Sequence, residues 1–209
     1  MKRNLIWSLL TGVLFGLALP PWGLGFFAYW CLVPLWALLE RTEDVSEALA
    51  WGLLTGLFVS FGTVPALGFA GLPDLLLSVV LSGLYFGLYA AAHVFLRRRL
   101  GAAAWALLPL VWVGVEFLRT FSGVAWTNLA LTHMHVVTLA KGIPPLVVTL
   151  WLVLINVVVY QILMSIRHRA RLPYLLAAIL LLFLVPFCLN RCSTPKERDL
   201  DDGLHVARF

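Results

Sequence analysis

Glu116 is the carboxylate set deepest in an apolar run of this 209-residue chain, Val111-Trp112-Val113-Gly114-Val115-Glu116-Phe117-Leu118. Arg119 follows three residues on and so shares its helical face. A carboxylate in such a run is costly unless it is paired or near an interface. Two uses are open: an ion pair anchoring the end of a span, or a polar contact for a substrate headgroup. The next segment, Ser122 to His135, is too polar for a span and too apolar for a free loop, which suits an outer membrane interface. Trp126 and Asn128 within it join Glu116 and Arg119 as candidate substrate-binding residues, with simple interfacial anchoring the other use of Trp126. His133 and His135 lack a third ligand nearby and read as solvated loop histidines rather than a metal pair. Asn156 and Gln161 fall inside a later apolar run and read as interhelical hydrogen-bond partners.

No complete catalytic constellation accompanies these groups. Cys31, Cys188 and Cys192 form no CxxC pair and no alternating Cys/His ligand set. A nucleophile elbow, a zinc-protease helix, a P-loop and a paired-carboxylate site are all absent from the sequence. No catalytic residue, metal or cofactor is therefore expected in this chain.

The elements that must position these residues are membrane helices. With 62% hydrophobic and 12% charged residues and a mean hydropathy of +0.95, the chain is far too apolar for a water-soluble domain. Hydrocarbon forces the backbone to satisfy its own hydrogen bonds, and uninterrupted apolar runs favour helices over the alternation of a barrel. The expected fold is all-α, a multi-pass transmembrane bundle of about seven spans. The runs are Leu5 to Leu19, Leu24 to Leu39, Ala48 to Gly71, Leu75 to Leu96, Ala102 to Leu118, Ile143 to Ile166 and Leu172 to Leu189. The first two, parted by Pro20-Pro21-Trp22-Gly23, form a tight hairpin of two short spans or a re-entrant pair. The first run follows Lys2-Arg3 but no small-residue cleavage site, so it is expected to be retained. Residues 1–189 form the helical domain and 190–209 a polar tail.

The net charge of +5 is gathered in short clusters between apolar runs, which sets topology and excludes a nucleic-acid-binding face. An N-terminus inside puts Lys2, Arg3, Arg41, Arg97 to Arg99, Arg167, Arg169 and Arg171 on the cytoplasmic side, nine of the 15 basic residues. Three runs carry glycines four apart, Gly12/Gly16, Gly52/Gly56 and Gly83/Gly87, a spacing that lets helix backbones approach closely, with packing within one bundle favoured over dimerisation.

The order of these features resembles the N-terminal membrane domain of bacterial apolipoprotein N-acyltransferases. The resemblance rests on Leu17-Ala18-Leu19-Pro20-Pro21-Trp22-Gly23 with Leu32-Val33-Pro34-Leu35 behind it, and on the glycine-rich third run from Trp51-Gly52 to Phe61-Gly62. It also rests on Pro109 to Trp112 leading into Glu116-Phe117-Leu118-Arg119, with Trp126 seven residues after the arginine. The tail Gly203-Leu204-His205-Val206-Ala207-Arg208-Phe209 looks like the opening strand of that family's soluble domain. The resemblance implies a bacterial inner-membrane protein of lipoprotein maturation. In such enzymes a cysteine of a nitrilase-like domain, assisted by a glutamate and a lysine, moves an acyl chain from phospholipid to a lipoprotein amino terminus. That domain is not in this sequence, so the expectation is a truncated membrane domain that does not catalyse alone. The implied partners are membrane phospholipid and a lipoprotein substrate or a separate nitrilase-like subunit.

Two readings compete with this one. A small multi-pass transporter needs ionisable groups lining a path, for which only Glu116 and His93 qualify. A structural membrane partner draws only on the glycine faces.

Overall fold

A computed structural model describes residues 2–20, 22–63, 72–121, 128–133, 144–165 and 171–193. Among these residues every regular element is helical. The α-helices are α1 (Lys2–Ala18), α2 (Val33–Leu39), α3 (Val45–Thr63), α4 (Leu72–Leu100), α5 (Ala104–Thr120), α6 (Pro145–Ser165) and α7 (Leu172–Ser193). Short 3-10 turns cover Gly25–Tyr29, Gly101–Ala103 and Leu129–His133. Among the described residues three stretches are long and apolar enough to cross a membrane: Val45–Gly62, Leu75–Thr120 and Pro145–Ser165. The middle one holds both α4 and α5, folded back at Gly101, whose φ of 56° lies in the left-handed region that a side chain disfavours.

The run from Leu24 to Leu39 is not one helix. It breaks between the Gly25–Tyr29 turn and α2, and α2 itself is seven residues, only about 10 Å long. Pro34 sits in the first turn of α2, where its missing N–H costs nothing, but it cannot be carried inside a continuous helix. Every residue of α2 is buried, so this irregular backbone is covered by protein, the setting in which broken helices are tolerated at membrane depth.

The glycine pairs act within this bundle. A Cβ at Gly16 would lie 2.8 Å from the Gly62 Cα, so α1 and α3 meet backbone to backbone. At Gly52 and Gly56 a Cβ would lie 2.7 Å from the Cα of Gly87 and Gly83 respectively, which joins α3 to α4 in antiparallel contact. Trp112 of α5 packs edge-on against Phe86 and Tyr89 of α4, with ring centroids 5.3 and 4.7 Å away. Near the far end, Trp105 of α5 stacks on Tyr160 of α6 at 4.8 Å and meets Trp36 of α2 at 5.5 Å.

These contacts fix which ends lie together. The end holding Glu40, His93 and Arg97 carries the start of α3 and the end of α4. The opposite end carries Glu116, the Leu129–His133 turn and the start of α6.

Candidate functional site

Glu116 is buried and its carboxylate accepts from three donors. Oε1 accepts from the Trp112 indole at 3.1 Å and from the Leu129 backbone N–H at 2.9 Å. Oε2 accepts from the Thr149 hydroxyl at 2.5 Å. Trp112 lies one turn earlier on the same helix, so α5 itself brings the indole to the carboxylate. The other two donors come from the 128–133 segment and from α6. Glu116 thus pins that segment across the end of the bundle. Three neutral donors meet the carboxylate oxygens, and Arg119 follows one turn on along the same helix. Arg119 is also buried, with its guanidinium carbon 5.4 Å from the Tyr85 ring centroid on α4.

Asn128 is buried beside the pinned turn. Trp126 and His135 lie outside the described residues. Of the four substrate-binding candidates, the structure therefore gathers Glu116, Arg119 and Asn128 at one end.

His133 corrects the expectation of a solvated histidine. It is buried, because Tyr29 and Trp151 enclose it with ring centroids 4.9 and 5.8 Å away. Its Nδ1 lies 2.7 Å from the Thr132 hydroxyl and its Nε2 2.8 Å from the Tyr29 hydroxyl. Thr132 has one hydroxyl proton and gives it to the Leu129 carbonyl at 2.7 Å. Nδ1 must therefore carry a proton and donate to Thr132, and in the neutral ring Nε2 accepts from Tyr29. Burial pushes the imidazole below its usual value of 6.5.

Asn156 of α6 behaves as the interhelical partner that its position predicted. Its Oδ1 accepts from Leu32 N–H at 3.0 Å, and its Nδ2 donates to the Ala28 carbonyl at 2.7 Å and to the Leu152 carbonyl at 2.9 Å. One side chain thereby satisfies both sides of the break between the Gly25–Tyr29 turn and α2. Trp151, one turn away, donates to the Leu182 carbonyl of α7 at 2.7 Å. Residue 186 is a proline, so that carbonyl has no amide from its usual helical partner four residues on.

A second polar group, which residue spacing does not reveal, occupies the opposite end. His93 Nε2 lies 3.3 Å from Glu40 Oε1, and the Arg97 guanidinium lies 3.5 Å from Oε2. Arg97 also donates to the carbonyls of Glu40 and Thr42, tying α4 to the chain that leaves α2. Burial alone would raise the Glu40 carboxyl, but the hydrogen bond and charge of His93 and the charge of Arg97 hold it below the usual value.

An apolar helical bundle, covered at one end by a pinned turn and with its buried polar groups elsewhere mostly serine and threonine hydroxyls among the described residues, defines a helical membrane domain. The model of the apolipoprotein N-acyltransferase N-terminal domain matches residues 11–158, and the chain belongs to that family. It is similar to the apolipoprotein N-acyltransferase of Geobacter metallireducens, with 30% identity over 217 aligned residues that cover 93% of this chain and 41% of that protein. It is also similar to the apolipoprotein N-acyltransferase of Pasteurella multocida, with 23% identity over 210 residues that cover 93% of this chain and 40% of that protein. The chain thus spans about two fifths of the length of these relatives.

Proposed function

We propose that this chain is the membrane domain of a lipoprotein-maturing N-acyltransferase, and that its pinned end receives the phospholipid from which an acyl chain is taken. Acceptance of that chain by the lipoprotein amino terminus, and the covalent chemistry itself, belong to a nitrilase-like domain or subunit outside this sequence. The observation that carries the reading is the Glu116 carboxylate holding the 128–133 segment across one end of an apolar bundle. Glu116 acts there by placing Asn128 and its neighbours. Asn128, Arg119 and Trp126 are the groups proposed to meet the headgroup.

About seven crossings, a cytoplasmic N-terminus and a bacterial inner-membrane location complete the proposal. The basic residues Lys2, Arg3, Arg41 and Arg97 to Arg99 support that orientation, since Lys and Arg concentrate on the cytoplasmic side. The pinned end then faces outward.

Photocrosslinking tests the reading. The chain is reconstituted in phosphatidylethanolamine and phosphatidylglycerol vesicles with a trace phospholipid carrying a photoreactive group at its head, and adducts are mapped by mass spectrometry. The expected result is adducts concentrated in residues 119–133 and reduced several-fold in Trp126→Ala and Asn128→Ala. Adducts spread evenly around the bundle, unchanged in both variants, would overturn it.

A further inference from the structure

The 128–133 segment is fastened twice. Glu116 holds its start through the Leu129 amide, as described above. Its other end meets the broken 25–39 region, where Tyr29 and His133 join by side chain and Gly25 lies against the Thr132 carbonyl so closely that a Cβ there would come within 2.8 Å. The hydrogen bonds run in one consistent direction: Tyr29 hydroxyl to His133 Nε2, His133 Nδ1–H to Thr132 hydroxyl, Thr132 hydroxyl to Leu129 carbonyl. Beneath them, Tyr29 is two residues from Cys31, which is fully buried and points its thiol at Ala28, the carbonyl that Asn156 also holds.

We propose that His133 and Tyr29 form a latch that positions the outer segment on the broken helix, so that releasing His133 opens both the segment and the hairpin around Cys31. Its role in placing a headgroup site rests on the function proposed above, whereas the latch itself does not. His133 is a positioning residue.

The latch has a built-in dependence on charge. The titratable group that touches the imidazole is Tyr29. From α6 it meets Trp151, and Phe183 of α7 packs against both Tyr29 and Trp151, with neither Trp151 nor Phe183 titratable. Glu116 of α5 stands beyond the Leu129 peptide, and Arg119 lies on the same helix. No acidic side chain among the described residues pairs directly with the ring to stabilise its cation. Protonation would also force Nε2 to donate, so the Tyr29 hydroxyl would have to reverse. Burial depresses the imidazole, so the docked form binds fewer protons than the released one. The latch is therefore complete above the free value of about 6.5 and weakens as pH falls below it.

Cys31 supplies the readout. In a C188S/C192S background, labelling of Cys31 by N-ethylmaleimide in intact membranes reports opening of the hairpin, with label uptake in detergent and urea as the total. His133→Gln keeps one donor and one acceptor but does not titrate, and it serves as the reference for the ordinary effect of pH on a thiol. The expected result is a labelling rate that, relative to His133→Gln, rises at least threefold from pH 8 to pH 5, with His133→Leu and Tyr29→Phe raised several-fold at pH 8. A constant ratio to His133→Gln across that range, or protection in Tyr29→Phe equal to the parent, would overturn the latch. Headgroup crosslinking that fails while Cys31 labelling behaves as expected would overturn only the functional reading on which its purpose rests.

Discussion

At the level of single residues, Glu116 satisfies three buried donors at once, and its loss should be costly for that reason. Glu116→Leu would leave the Trp112 indole, the Leu129 amide and the Thr149 hydroxyl without their acceptor. Each stranded group costs about 1–3 kcal/mol, so a loss of roughly 3 kcal/mol or more is expected, read as an earlier thermal transition in detergent micelles. Glu116→Gln, whose amide oxygen still accepts, should lose less. Asn156→Leu strands the Leu32 N–H, leaves the Ala28 carbonyl only the weak Cys31 thiol, and should lower the same transition by about 2–4 kcal/mol, whereas Gln161→Leu, away from the break, should leave it nearly unchanged. Glu116 and Asn156 were visible in the sequence because polar groups stand out against apolar neighbours. Their partners were not. Thr149 is 33 positions from Glu116, and the Leu129 amide belongs to the backbone, which leaves no mark in the residue code. His133 was misread for the same reason, since Tyr29, which buries it, lies 104 positions away.

Elements were legible to the extent that their causes are local. Apolar runs and charged ends placed α1, α3, α4, α5, α6 and α7 close to their observed positions, because hydrocarbon leaves a buried backbone few other forms. The break at Tyr29–Leu32 was less legible, since it is stabilised by Asn156 from another helix. Glycine spacing correctly indicated close packing, and its partners follow from the geometry. Gly56→Leu would drive a side chain into the backbone of Ser82 and Gly83 and should destabilise by at least the 1–3 kcal/mol typical of overpacking. Gly114, also within a helix, has nothing within 4 Å of a Cβ, so Gly114→Ala should be neutral or raise the transition by up to about 1 kcal/mol. The contact between α6 and α7 allows a double-mutant cycle. Trp151→Phe alone leaves the Leu182 carbonyl without its donor. In a Pro186→Ala background, which restores a helical amide to that carbonyl, the same change should cost about 1 kcal/mol less. Additive losses in the two variants would show that the proline and the indole are unrelated.

For the molecule as a whole, the buried charged and histidine side chains among the described residues are divided between two ends of an apolar bundle, and each end answers to acid in its own way. Glu40 binds a proton less readily in the fold than in the free chain, so its contribution is present above the free carboxyl value of about 4.3 and fades as pH falls through its lower folded value. Glu40→Gln should flatten the acid limb of the thermal transition measured between pH 3 and 6, and a limb unchanged by that substitution would remove Glu40 from the account. The left-handed turn at Gly101 bears on a different property, the sidedness of the chain during its insertion. Leu75–Thr120 covers 46 residues that are apolar on average despite Arg97 to Arg99 at its middle, and as one straight helix it would reach about 69 Å, more than twice the hydrocarbon thickness of roughly 30 Å. The turn folds that run into two legs, and with the crossings proposed above this sets their parity for everything downstream. Under the orientation proposed above, a glycine with no neighbour within 4 Å of its missing side chain would thus help decide on which face of the membrane the 128–133 segment is delivered.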